Sequence, residues 1–181
     1  MSDAVDTRRL ADRSRPQTAA QLFALLDRLG IAHTTVEHPP LFTVEEAKAL
    51  RGELPGAHTK NLFLRNKKGR MWLVTCLEDR RVDLRALAER LGAGRVSFGS
   101  PPRLMQALGV TPGAVTPFAL VNDRAGAVEA VLDRDLLRLA PLNFHPLENA
   151  RTTAISPEGL LAFLQATGHR PTLVDFAALG G

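Results

Sequence analysis

The 181-residue sequence contains a single cysteine and no long apolar run. Cys76 lies within the apolar stretch 71–77, so a disulfide framework is excluded and a reducing compartment is expected. No stretch approaches the roughly 18 continuous apolar residues of a membrane-spanning helix, and the charged N-terminus does not resemble a secretion signal. We therefore expect a cytoplasmic protein with no membrane partner.

Several common catalytic patterns are also missing. The five histidines form no His-Glu-x-x-His motif and the chain has no Cys-x-x-Cys pair, which argues against a metal site. The stretch 97–100 lacks the nucleophile-elbow pattern, and neither common type of phosphate-binding glycine loop is present. Cys76 is predicted to lie in the middle of a strand, where a thiol is normally inert. The sequence thus predicts an activity that needs no metal and no cofactor.

The composition is that of an ordinary globular domain, with 45% hydrophobic and 23% charged residues. We expect a flexible tail over residues 1–16 and one domain over 17–181. The formal net charge is +4 and arginine is the dominant cation, which favours contacts with phosphate but does not require a nucleic-acid partner. No exposed heptad pattern or long apolar patch is visible, so a monomer is expected.

Apolar spacing, capping residues and turns predict helices that alternate with short strands. The predicted helices follow Thr18, Thr43, Asp83, Ser100 and Ser156. The predicted strands are 31–37, 61–65, 71–77, 95–99, 118–121, 128–132 and 152–155. Polar turns at 66–70 and 122–126 predict two hairpins. This order predicts an α+β fold with a mixed, mostly antiparallel sheet and surrounding helices.

Lysine is scarce in this chain and one lysine has an unusual setting. The four lysines are Lys48, Lys60, Lys67 and Lys68. Lys60 alone lies next to an apolar run, 62–64, where an ammonium group can be partly desolvated and held by its neighbours. Asn61 can both donate and accept hydrogen bonds beside it. The same pattern also fits a lysine whose stem is buried at a strand start while its head reaches water.

Two further loops carry residues suited to a binding site. In the segment 113–117, a glycine and a proline bracket three small residues, and glycine lets backbone N–H groups approach a ligand closely. In the segment 143–146, His145 stands between an aromatic residue and a proline. Each pattern has a simpler interpretation, since the first also describes a tight turn and the second a structural histidine.

These three loops resemble the YbaK / prolyl-tRNA-synthetase-associated editing domain family. The segments His58–Leu64, Leu108–Leu120 and Asn143–Leu147 carry the resemblance, in the order in which the family has them. The similarity extends from about Gln17 to Phe176 and is nearest to the freestanding alanyl-tRNA(Pro) deacylases. It implies a compact barrel-like fold that hydrolyses, without a metal, the ester joining alanine to the 3′ end of proline tRNA.

The resemblance also implies roles for individual residues. Lys60 would be the central catalytic residue, with Asn61 beside it, positioning the substrate and stabilising the oxyanion rather than acting as a general base. Gly113 would offer backbone donors, and His145 would shape the pocket wall. The remaining pocket residues would be Ala114, Val115, Thr116, Pro117 and Phe144. The acceptor stem of the tRNA would be bound by Arg65 and Arg95.

Other readings stay open at the level of sequence. The substrate could carry cysteine or serine in place of alanine, because pocket size is barely constrained by sequence. The chain could also be a catalytically silent tRNA-binding module of the same fold, or an ester or thioester hydrolase with no RNA partner. A transient association with prolyl-tRNA synthetase or an elongation factor is compatible with the resemblance.

Overall fold

The computed structural model describes residues 7–40, 45, 46, 49 and 54–179. Within these residues, helices α1–α5 span Ala19–Arg28, Leu84–Leu91, Pro101–Leu108, Pro157–Thr167 and Phe176–Leu179. Strands β1–β8 span His33–Glu37, Ala57–Asn66, Met71–Leu77, Val96–Phe98, Val128–Asp133, Leu142–Phe144, Arg151–Ile155 and Thr172–Val174. Three 3-10 helices cover Pro112–Ala114, Pro117–Asn122 and Arg134–Arg138. Of the predicted helix that Thr43 opens, only residues 45, 46 and 49 are described, and these are helical; the rest lies outside the described residues.

The helix starts follow from local capping chemistry. Thr18 and Gln21 form a reciprocal capping box at the start of α1. Ser100 and Ser156 cap α3 and α4, and each is followed by a proline in the first turn, where a missing N–H costs nothing. The side chain of Asp83 caps α2 by accepting a hydrogen bond from the N–H of Ala86. Four predicted helices are therefore confirmed at their first residues.

The strands form one mixed sheet in the order β1-β7-β6-β2-β3-β5-β8, with β4 paired to β2 outside this path. Four pairs are antiparallel, namely β1–β7, β2–β3, β2–β4 and β6–β7, and three are parallel, namely β2–β6, β3–β5 and β5–β8. The predicted mixed α+β fold and the β2–β3 hairpin are confirmed. Strand β2 is central, because it pairs with β6 at its start, with β3 along its length and with β4 at its end.

Both faces of the central sheet are buried. Leu73 of β3 belongs to a larger cluster that also contains Phe63 and Phe118. The residues on either side of it, Trp72 and Val74, belong to a second cluster. This alternation is the period of two expected of a strand, and a strand buried on both faces reads as a continuous apolar run.

The predicted strand 118–121 is wrong, because this segment is part of the 3-10 helix Pro117–Asn122. The side chain of Thr116 caps it by accepting a hydrogen bond from the N–H of Phe118. A short apolar run that is wholly buried has no period by which strand and helix can be told apart. Without that strand, the predicted hairpin at 122–126 does not form, and β5 instead pairs in parallel with β3 and β8.

Two short strands, β6 and β8, were not predicted from the sequence, and β7 is therefore not the last strand. The N-terminal segment packs on the domain from Leu10 onward, since Leu10 is buried and the N–H of Ala11 donates to the carbonyl of Gln106. The expected domain boundary after residue 16 stays a prediction. In the part of the chain that the structure describes, every helix is too short or too polar to cross a bilayer.

Candidate active site

The point at which β2 and β6 separate organises the candidate site. The two strands pair in parallel only at Ala57–Leu142 and His58–Asn143. Lys60 and His145 each lie two residues beyond the second pair. Because successive side chains of a strand point to opposite faces, Lys60 lies on the face of β2 that carries His58. His145 follows the last residue of β6, Phe144, and its place is given by its contacts with Arg151 of β7 and with His38. The two predicted key residues therefore flank the same fork in the sheet.

Side chains hold this fork together. The amide of Asn143 donates to the carbonyls of Pro55 and Ala57, at 3.0 and 3.1 Å. In return, the hydroxyl of Thr59 donates to the carbonyl of Asn143 at 3.0 Å. Since Asn143 is itself buried, these bonds fix the start of β2 against β6 at the level of Lys60.

The ammonium group of Lys60 is held by main chain. Its Nζ donates to the carbonyl oxygen of Arg80, and the side chain is half-buried. Cys76 lies opposite Lys60 in the β2–β3 register. Burial raises the pKa of the Cys76 thiol to about 11, so the thiol remains protonated at neutral pH and is a poor nucleophile.

A cavity of about 480 Å³ adjoins this position. It is lined by Leu54, Gly56, His58, Leu77, Glu78, Asp79 and Arg80. Two of these residues neighbour Lys60 directly, since His58 shares its strand face and Arg80 accepts its hydrogen bond. The volume lies within the range of about 300–1,000 Å³ that is typical of small-molecule sites.

Asn61 points away from this cavity. It lies on the opposite face of β2 from Lys60, where its Oδ1 accepts a hydrogen bond from the Thr75 hydroxyl at 2.6 Å. Asn61 and Thr75 are direct register partners, so this bond joins β2 to β3. The structure therefore does not bring the side chains of Lys60 and Asn61 together, and the catalytic role of Asn61 stays a prediction.

His145 has a defined tautomer. Its Nδ1 lies 3.1 Å from the carbonyl oxygen of Arg151, which can only accept, so Nδ1 carries the proton. Burial lowers the pKa of His145, and the positive charge of a protonated His38 would lower it further. Nε2 therefore carries a lone pair at neutral pH, and no described residue hydrogen-bonds to it.

A second histidine, not singled out from the sequence, lies close to His145. The ring of His38 is centred 6.3 Å from that of His145. Its Nδ1 lies 2.8 Å from the carbonyl of Pro39, and its Nε2 lies 2.8 Å from the hydroxyl of Thr152. A signal was available, since both histidines precede a proline. Among the described residues, no group of three or more His, Cys, Asp and Glu side chains is placed to hold a metal ion.

The glycine loop packs against the loop that carries His145. A Cβ atom on Gly113 would lie 3.2 Å from the side-chain nitrogen of Asn149. Behind it, the rings of Phe118 and Phe144 meet edge to face at 5.7 Å. Gly113 is exposed, whereas the core takes up Ala114, Thr116, Pro117 and Phe144, with Val115 half-buried against it. What this loop offers a ligand is mainly the backbone around Gly113, and side-chain lining of a pocket stays a prediction.

The two predicted RNA-binding arginines come together at the far end of β2. Arg65 pairs with Ser97, and Arg95 precedes Val96, which pairs with Asn66. Arg95 is exposed and borders cavities of about 780 and 380 Å³. Arg65 lies five residues after Lys60 in β2, about 17 Å along the strand, and this odd step places it on the face opposite Lys60. These arginines thus lie outside the Lys60 site, and their role in binding RNA stays a prediction.

The chain is similar to proteins of a known family. A sequence model of the family described as aminoacyl-tRNA editing domain matches residues 38–163. The prolyl-tRNA synthetase associated domain-containing protein 1 of Xenopus laevis is 42% identical over 161 residues, covering 86% of this chain and 95% of that protein. The prolyl-tRNA editing protein ProX of Acetoanaerobium sticklandii is 38% identical over 149 residues, covering 82% of this chain and 91% of that protein.

The fold has counterparts among solved structures as well. A crystal structure described as a candidate trans-editing enzyme for prolyl tRNA synthetase aligns with a TM-score of 0.66. It covers 88% of this chain and 97% of that one at 24% identity, a level that supports the fold alone. The family match spans more than half of the chain and contains Lys60, the glycine loop and His145. The chain belongs to the aminoacyl-tRNA editing domain family.

Proposed function

We propose that this protein is a cytoplasmic, metal-independent trans-editing hydrolase that removes alanine from mischarged alanyl-tRNA(Pro). The observation that carries the proposal is the position of Lys60 and His145, each two residues beyond the last β2–β6 pair. A fixed ammonium group and a neutral imidazole then flank the same fork. This is the set of charges that an aminoacyl ester requires, with a cation for the developing oxyanion and no second cation against the substrate amine.

Lys60 stabilises the transition state electrostatically. An ammonium group has three N–H donors, and one of them is used by the carbonyl of Arg80. The other two can face the substrate carbonyl oxygen as it gains negative charge. Water attacks the carbonyl carbon, the bond to the ribose oxygen breaks, and a proton passes from the water to that oxygen. The neighbouring 2′-hydroxyl of the terminal adenosine assists the attacking water.

His145 sets the size limit of the pocket. As a neutral side chain fixed to the carbonyl of Arg151, it forms a wall that does not repel the amino group of alanine. A synthetase that accepts proline excludes the smaller alanine only about 10–200-fold, because a missing methylene is worth little binding energy. A second site that admits alanine and clashes with proline supplies the remaining selectivity.

Arg65 and Arg95 supply the contacts to the RNA. Arg65 lies about 17 Å from Lys60 along β2, and Arg95 directly precedes β4, which pairs with that end of β2. Arginine binds phosphate oxygens bidentately, so their contribution is expected to be to affinity rather than to chemistry. The affinity for tRNA(Pro) should accordingly fall as salt concentration rises. A monomer suffices for this arrangement, and association with prolyl-tRNA synthetase or an elongation factor would be transient.

The test is deacylation of three substrates, alanyl-, prolyl- and cysteinyl-tRNA(Pro), by the wild type and by Lys60→Ala. We expect rapid loss of alanine only, and a fall of at least about 100-fold in the variant, which is the usual cost of removing one oxyanion donor. Arg138→Ala, which removes an exposed cation from the 3-10 helix after β5, is the matched control and should retain wild-type activity.

Each alternative has its own outcome. Loss of cysteine instead of alanine would keep the mechanism and change the specificity, and seryl-tRNA tests the remaining small substrate. Cleavage of a simple alanyl ester at a rate independent of the tRNA body and of salt would indicate a hydrolase without an RNA partner. Binding of tRNA without cleavage of any ester would indicate a silent binding module.

A further inference from the structure

A network behind the candidate site has no role in the function proposed above. Arg80 donates from Nε to Asp133 at 3.0 Å and from its terminal nitrogen to Asp135. We propose that Arg80 is a positioning residue for Lys60: its guanidinium, fixed on two carboxylates, holds the main-chain carbonyl that receives the Lys60 ammonium. The contribution of this contact to catalysis rests on the proposed function, whereas its effect on Lys60 itself does not.

Asp133 is the anchor of this network. Its side chain is fully buried at the end of β5. One carboxylate oxygen accepts from Arg80 and from the N–H of Leu77, and the other accepts from the N–H of Asp135. A buried carboxylate with three donors is held rigidly, because releasing any of them would leave a buried charge less well solvated.

The segment after β3 is fastened to β2 through the same residues. The N–H of Glu78 donates to the carbonyl of His58 at 2.9 Å, and the N–H of Arg80 donates to the carbonyl of Leu77 at 3.0 Å. These bonds leave the carbonyl of Arg80 as the acceptor for Lys60, two strand residues beyond His58. The side chain of Arg80 then determines where its own carbonyl lies, because both arms of the guanidinium are bound.

The network also settles the local electrostatics. Two cations, Lys60 and Arg80, belong to this network, and the two carboxylates that bind the Arg80 guanidinium offset its charge. Hydrogen bonding to Asp133, and after it to Asp135, raises the pKa of Arg80, so this arginine is a paired cation at all relevant pH values. Lys60 therefore remains the cation that is available to a substrate in this part of the site.

Fixing the lysine in advance is expected to increase the rate. A free lysine side chain samples many rotamers, and this freedom must otherwise be lost when the oxyanion forms. Loss of the Arg80 clamp should lower the single-turnover rate of deacylation by roughly tenfold, while the affinity for tRNA changes by less than about twofold.

The decisive measurement is made on Lys60 without any substrate. Because the chain has four lysines, uniform ¹³C labelling of lysine gives four sets of ε-methylene signals, and Lys60→Arg assigns the one of interest. We expect distinct, inequivalent Lys60 signals in the wild type and an averaged, solvent-like signal in Arg80→Gln. Asp135→Asn removes one of the two carboxylates that bind Arg80, the half-buried one, and should give an intermediate signal. It serves as the milder variant in case Arg80→Gln misfolds.

Arg70→Gln is the matched control. Arg70 forms a bidentate pair with Glu129 at the opposite end of the same hairpin, so its loss removes an arginine–carboxylate pair, here a more exposed one, far from Lys60. It should leave the Lys60 signal and the deacylation rate unchanged. An unchanged Lys60 signal in Arg80→Gln would overturn the positioning role, as would a loss confined to tRNA affinity. If the wild type cleaves none of the esters, the proposed function fails, and the lysine signals still decide the role of Arg80.

Discussion

The Nδ1–H of His145 donates to the carbonyl oxygen of Arg151 over 3.1 Å, and this bond leaves Nε2 as the ring nitrogen with a lone pair. The pKa of His145 is lowered by burial, the largest effect, and by the charge that His38 gains when protonated. Arg151 itself is paired with Glu148, at 2.6 Å, and adds no free cation beside the ring. The pKa of His145 therefore lies below the ordinary histidine value, and the ring is neutral at pH 7.

The first prediction concerns the dependence of activity on pH. Near neutral pH, where His145 is uncharged, the deacylation rate should not change with pH. The rate should fall at pH values below 6.5, the ordinary pKa of histidine, because an imidazolium would repel the substrate amine. The measurement is a pH–rate profile of single-turnover deacylation for the wild type and His145→Asn. The acid limb should move or vanish in the variant, and an identical acid limb in both proteins would contradict the prediction.

Enlarging the pocket at His145 should weaken the rejection of proline. In His145→Ala we expect the ratio of prolyl-tRNA to alanyl-tRNA cleavage to rise at least about tenfold, because a size-excluding wall is removed. The ratio is obtained from parallel single-turnover assays. His33→Ala is the control. His33 is the first residue of β1, where it stacks on Phe23 and pairs with Asp27. An unchanged ratio in His145→Ala would remove this residue from the pocket wall.

Gly56 should be intolerant of any side chain. Its φ is +100°, and a Cβ atom there would lie 2.3 Å from the carbonyl oxygen of Pro141, which accepts a hydrogen bond from Ala57. We expect Gly56→Ala to lower the free energy of unfolding by more than about 3 kcal/mol, combining backbone strain with a steric clash. Gly69→Ala shares the positive φ but has nothing within 4 Å, and should cost about 1–2 kcal/mol. Urea unfolding compares the two, and equal losses would contradict the steric argument.

The pair formed by Asp123 and His169 should make the stability of the protein fall in acid. Both side chains are buried, and the carboxylate lies 2.8 Å from Nε2 of the ring. Burial alone would raise the pKa of Asp123, but hydrogen bonds from His169 and from two backbone N–H groups outweigh it and the pKa is lowered. A lowered folded-state pKa means that this stabilisation is present above the ordinary value of 3.8 and is lost as pH falls below it.

Asp123→Asn tests this pair. We expect a loss of about 3–5 kcal/mol near neutral pH, since one partner of a buried, hydrogen-bonded pair is removed, and a flatter dependence of stability on pH below 4. Thermal or urea unfolding across pH gives both quantities. Asp175→Asn removes the partner of Arg134 in a partly exposed pair and should cost less than about 1 kcal/mol. A variant with the wild-type acid profile would show that Asp123 is not the titrating group.

The sequence alone determined those parts of the fold that depend on neighbouring residues. The cap at Thr18, the serine–proline starts of α3 and α4 and the β2–β3 hairpin are formed by groups a few residues apart. Their energies are local, so their patterns can be recognised in any chain. The family resemblance likewise depended on three short segments, each of which is legible by itself. Lys60 was singled out in this way, because lysine is scarce in this chain and Lys60 lies next to an apolar run.

Only the tertiary structure decided what those residues contact. The acceptor of Lys60 is a carbonyl 20 residues away, and His38 meets His145 across more than 100 residues. Asn61 follows Lys60 directly in sequence, yet the pleat of β2 places it on the opposite face. Contacts between distant segments depend on strand order and register, which arise from burying both faces of the sheet together. No local pattern encodes that outcome, because the free energy that selects it belongs to the whole core.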